Sequence, residues 1–148
     1  MPDDYKSYIA RYGTGSFSKP DFSFLFPYNP FSEHFNLIEN QQLILETYLD
    51  CQIDSPEICV FNAFPEEKGL LPWGQTDNGD SLYWLTNGPP NTWDIVVFDG
   101  RYFMYDWFSL TMTQFLAQWL TGDIKVNCFP PFAPGEITFV PYSSRKPE

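Results

Sequence analysis

The sequence predicts an α+β fold, a single domain with an antiparallel sheet flanked by helices, and three observations predict it. Between Leu70 and Trp107 short apolar runs alternate with turn signals of only a few residues, the kind of connection that joins neighbouring antiparallel strands. Amphipathic helical repeats stand on both sides of that stretch. Hydrophobic residues make up 43% of the 148 and charged residues only 18%. That composition suits one ordinary core and excludes disorder, which needs low hydrophobicity with high charge.

The elements follow in order. Pro2 suits a first helical turn, and Asp3 and Asp4 suit its positive end. Tyr5, Tyr8, Ile9 and Tyr12 then recur on one helical face until Gly13 stops the helix. Residues 14–21 read as loop, and Phe22 to Phe26 as an edge strand before Pro27 and Pro30. Ser32 is the expected cap of a second helix over 33–50. The run 58–64 after Pro56 reads as a strand, and Glu66 to Gly69 as a polar turn.

Four strands are expected at 70–74, 82–86, 95–98 and 102–107. Asn78-Gly79 between the first two predicts a type I′ hairpin turn. Asn87 to Asn91 and Asp99-Gly100 supply the following turns. Thr111 and Gln114 form a capping box. Met112, Phe115, Leu116, Trp119 and Leu120 then line one face of a helix that Gly122 closes. Burying each of those side chains is worth roughly 1.5–3 kcal/mol, so this face is expected to cover the sheet. Ile137 to Val140 is a further candidate strand.

Two blocks of this pattern resemble a known family. One runs through Leu71-Pro72-Trp73-Gly74, Asp77-Asn78-Gly79-Asp80, the strand Ser81 to Leu85, Trp93 to Asp99, and the helix Thr113 to Leu116 with Leu120. The other is the opening Pro2 to Lys6 followed by Tyr8, Ile9 and Tyr12-Gly13. Together they resemble the SUKH superfamily, named partly for yeast cell-wall synthesis regulators. The resemblance implies an antiparallel sheet flanked by helices. It also implies a protein that binds without chemistry of its own: bacterial members are often immunity proteins encoded beside toxins, many of them nucleases. The chain departs from the family twice. The sequence starts inside the opening motif, so that either the domain lacks the helix that usually precedes it or the true start lies upstream of Met1, and residues 125–148 form an unmatched Pro-rich extension.

Charge narrows the partner. Nineteen acidic against eight basic residues give a net charge of −11. Such a field repels nucleic acid and anionic membranes and favours encounter with a basic protein, as an inhibitor of a basic toxin domain requires. Cys51, Cys59 and Cys128 form no CxxC pair, as expected for reduced thiols in the cytoplasm. No apolar run approaches the roughly 20 residues of a membrane span, and no signal segment is evident.

The expected contact residues are the loop carboxylates Asp77, Asp80, Asp94, Asp99 and Asp106. Trp73, Gly74, Gly79, Phe115, Leu116 and Trp119 are expected to determine the fold. No catalytic, cofactor-binding or metal-binding residue is predicted. An EF-hand loop spans about twelve residues ending in Glu, and that place counted from Asp77 is Gly88. His34 is the sole histidine and is expected at the surface. A second reading is carbohydrate binding, with Trp73, Trp84, Trp93 and Trp107 stacking on sugars beside carboxylate pairs. A third is a regulator or scaffold like the yeast relatives.

Overall fold

The computed structural model describes residues 1–19, 22–33 and 35–141, so His34 and the last part of the Pro-rich segment lie outside the described residues. Helix α1 (Asp3–Tyr12) has Asp3 and Asp4 in its first turn and Arg11 in its last, each matched to the dipole end it occupies. Gly13 ends it at φ 68°.

Part of the predicted loop that follows is a strand, β1 (Gly15–Lys19), and it pairs antiparallel with β2 (Phe22–Pro27) and β7 (Thr138–Pro141). Its serines concealed it. Ser16 and Ser18 are buried and satisfy each other through a 2.7 Å hydroxyl contact, which permits polar side chains in an interior strand. Gly15 lies so close to β7 that a Cβ there would meet the Phe139 ring and the Val140 carbonyl oxygen, both at 2.5 Å.

Helix α2 spans Leu37–Asp54, later at both ends than predicted. Its cap is Asn36 in place of the expected Ser32: the Asn36 Oδ1 accepts the Glu39 N–H at 3.1 Å, and the Asn36 side-chain amide donates to the Ser32 carbonyl at 2.8 Å. The expected strand at 58–64 is an irregular segment joined to the sheet by one bridge, Ala63 to Leu70. Side chains occupy its backbone acceptors: Tyr48 and Gln52 both donate to the Phe61 carbonyl, and Gln52 also donates to Cys59.

Four strands then run as β3 (Leu70–Thr76), β4 (Asp80–Leu85), β5 (Asp94–Asp99) and β6 (Met104–Phe108). The β3–β4 loop is Asp77–Gly79, and the Gly79 N–H donates to the Thr76 carbonyl at 3.3 Å. Of these loop residues only Gly79 has a positive φ, 93°. This is a type I turn closed by a glycine, not the type I′ turn expected, which needs positive φ at both central residues. A register shift at Pro72/Gly74 marks the bend in β3. Helix α3 (Met112–Thr121) has the complete Thr111/Gln114 capping box and ends at Gly122, φ 83°.

The seven strands form one antiparallel sheet in the order β6-β5-β4-β3-β2-β1-β7. Strand alternation divides its side chains between two cores. Leu82, Trp84, Ile95 and Val97 point to the first, with Trp73, α1 and α3. Tyr83, Leu85, Val96 and Phe98 point to the second, beneath Tyr48 of α2. Phe115 of α3 meets Trp73 edge to face at 6.2 Å, and Tyr5 of α1 meets Trp84 at 5.0 Å. Phe115 and Leu116 are buried, while Trp119 is half-buried against Phe24 and Phe129. Val126, Phe129 and Ile137 complete the first core. As far as Pro141, therefore, the Pro-rich segment is part of the fold.

Candidate functional site

The antiparallel register of β4 and β5 sets Asp80 opposite Asp99. Both are buried, 1% and 3% exposed, and so cannot act as the surface carboxylates the sequence suggested. The Thr76 hydroxyl donates to Asp80 Oδ2 at 2.8 Å. Asp99 Oδ1 accepts the backbone N–H groups of Arg101 at 2.9 Å and Tyr102 at 3.3 Å, which fixes the β5–β6 turn. The Arg101 guanidinium bridges the pair, 3.8 Å from Asp80 Oδ1 and 3.4 Å from Asp99 Oδ1.

Burial raises the Asp80 pKa above the ordinary carboxylate range, opposed by Thr76; Asp99 raises it further and Arg101 lowers it. Burial, then Asp80 and Asp99, push up the Cys128 thiol. One ligand atom from each of Asp80, Asp99 and Cys128 lies within 4.8 Å of the others. The spacing approaches that of a metal cluster, but Arg101 already supplies the positive charge.

The other predicted carboxylates are dispersed. Asp94 Oδ2 accepts the Trp107 indole N–H at 2.9 Å on the second face. Asp106 accepts both the backbone and the side-chain amide of Asn127, at 2.8 and 2.9 Å, and anchors the C-terminal segment. Among the five, Asp77 alone is exposed. The aromatic platform is also incomplete. Trp73 and Trp84 are fully buried, contrary to the exposure a sugar site needs, and the Trp93 indole N–H bonds the Gly88 carbonyl at 2.9 Å. Trp107 remains, 56% exposed.

The family model for SUKH_6, SMI1-KNR4 cell-wall, matches residues 1–116. The chain belongs to this family. No curated protein and no solved structure matches. The matched part of the SUKH domain runs from α1 into α3, so the chain that completes the first core after Leu116 lies beyond it. Among the described residues no helix is long and apolar enough to cross a membrane.

Apart from Asp77, a run of exposed acid in this SUKH domain lies outside the predicted carboxylates. Glu39, Glu46, Asp50 and Asp54 project from α2, and Glu57, Glu66 and Glu67 from the segment after it; all are exposed. The sequence has no Lys or Arg between Lys19 and Lys68. That gap is the signal in the sequence that marks this surface.

Proposed function

We propose that this SUKH domain is a non-enzymatic protein-binding domain, an immunity protein that neutralises a cognate toxin in the cytoplasm. A basic toxin domain such as a nuclease is the fitting partner. The observation that carries this reading is the one-signed acid surface of α2 and residues 55–67 on a member of this family. Such a surface repels phosphate backbones and anionic lipid and speeds encounter with a basic protein.

Binding is favoured over catalysis by the state of the titratable groups that do converge. Asp80, Asp99 and Cys128 lie at the end of the sheet behind Arg101, with the Asp80 carboxyl and the Cys128 thiol both shifted toward their neutral forms. A nucleophilic thiol requires the opposite shift.

The test is binding between the purified domain and the product of the adjacent gene, repeated across a salt series. A complex that weakens as salt rises is expected. Failure to bind any toxin encoded nearby would count against the reading. The family description favours a second one, a regulator or scaffold of the cell-wall-synthesis type. In that case the gene lies away from any toxin locus and the partner is a resident cellular protein.

A further inference from the structure

Helix α2 carries apolar side chains on both sides, and only one side is needed for packing. Leu37 and Tyr48 are buried, and Ile44, Leu45 and Cys51 pack beside the second core. Four apolar side chains of the helix are exposed: Leu43 by 58%, set among the carboxylates, and Ile38, Leu49 and Ile53 by 61%, 45% and 78%. At 3.6 residues per turn the last three fall within about 60° of arc, a stripe roughly 22 Å long. Isolated exposed hydrophobics are ordinary, but an aligned row of them marks an interaction surface.

The adjoining arc holds Glu39, Glu46 and Asp50, with Asp54 beyond them. The dipole accounts for Glu39, in the first turn, but helix stability does not account for the other three. Glu46, Asp50 and Asp54 succeed one another at i, i+4 and i+8, and like charges at that spacing repel. Asp50 and Asp54 also lie at the negative end of the helix dipole, where no basic residue occupies the last turn. The face therefore joins exposed apolar area to charge that opposes its own helix, and a cationic partner relieves both.

We propose that this outward face of α2 is the docking surface of the domain, and that its occupant is a basic protein segment bearing an apolar stripe. Ile38, Leu49 and Ile53 bury against the apolar side chains of that segment, while Glu39, Glu46, Asp50 and Asp54 pair with its Lys and Arg. Charge selects this occupant. A second copy meeting through the same face would set carboxylates against carboxylates, and an anionic membrane would be repelled. The proposal rests on the protein-binding reading and adds to it the surface and the chemistry of the partner.

The probe is a synthetic amphipathic Lys/Leu helical peptide, titrated into the full chain at low and high salt and followed by backbone amide NMR. Its controls are a scrambled peptide of the same composition, a Glu/Leu analogue and anionic lipid vesicles. Amide shifts concentrated in α2 are expected for the Lys/Leu peptide alone. The triple variant I38Q/L49Q/I53Q, which keeps every charge, is expected to weaken binding by about tenfold or more. The triple variant E39Q/E46Q/D50N, which keeps Asp54, is expected to weaken binding at low salt and to reduce the salt dependence. Cooperative thermal melts at or above the parent's temperature would show that both variants fold. Shifts centred elsewhere, equal binding of the scrambled peptide, vesicle binding, self-association through α2, or an apolar variant that binds like the parent would each overturn the proposal. If the adjacent gene's product binds through another face, the surface falls and the immunity reading stands. Should the peptide dock on α2 while no neighbouring toxin binds, the reverse holds.

Discussion

The two faces of the sheet are covered in contrasting ways. On the first, α1 and α3 turn Tyr5, Tyr8, Ile9, Met112, Phe115 and Leu116 inward, and Val126, Phe129 and Ile137 seal what they leave open. Charges on these covering elements are mixed: Asp3, Asp4, Asp123 and Glu136 against Lys6, Arg11 and Lys125. On the second face, α2 buries a smaller set and exposes a row of aliphatic side chains beside carboxylates of one sign. Packing and dipole matching explain the first cover. They do not explain the outer half of the second, and the proposed docking surface is a reading of that asymmetry.

The largest expected effect lies in the first core. Trp84 is fully buried between Tyr5, Trp73 and Trp93, so Trp84→Ala should destabilise by about 3–5 kcal/mol in urea titration. Beneath α2, Tyr48→Phe should lose about 1–2 kcal/mol. It removes the hydroxyl that bonds the Phe61 carbonyl at 3.0 Å and Tyr105 at 2.8 Å. An equal loss at both sites would erase the contrast between the cores.

Asp80 sharpens the comparison through pH. Its folded-state pKa is raised, chiefly by burial, so the folded chain holds that proton more tightly than the unfolded chain. From this group stability is greatest below the ordinary carboxylate pKa and is lost as pH rises through the raised one. Asp80→Asn should flatten that part of the pH–stability curve, as denaturation across a pH series will show. A steeper curve in the variant would contradict the assignment. The smallest effect is expected on α2: Ile53→Gln, at a site 78% exposed, should change stability by less than about 0.5 kcal/mol. A core-sized loss there would mean that the stripe is structural.

The elements legible in the sequence are those whose signals are local. α1 and α3 combine dipole-matched ends or a capping box with apolar period and a terminal glycine, and β3 to β6 combine apolar runs with short turns. Features set by distant partners were hidden. β1 is a strand because β7, more than a hundred residues later, pairs with it and leaves room only for Gly15. The segment 58–64 has the residues of a strand, yet Tyr48 and Gln52 take its carbonyls. The site follows the same rule. Nothing in the spacing of Asp80 and Asp99 reveals that they face each other across two strands under Arg101, or that Asp106 anchors Asn127. The acid of α2 was legible in principle, since the missing Lys and Arg are a property of composition alone.

Amide hydrogen exchange on the complex with the adjacent gene's product tests the central claim most directly. Slowed exchange should concentrate in α2 from Ile38 to Ile53, with α1 and α3 unchanged. Protection confined to α1, α3 or the β6 edge, with α2 exchanging as in the free domain, would contradict it.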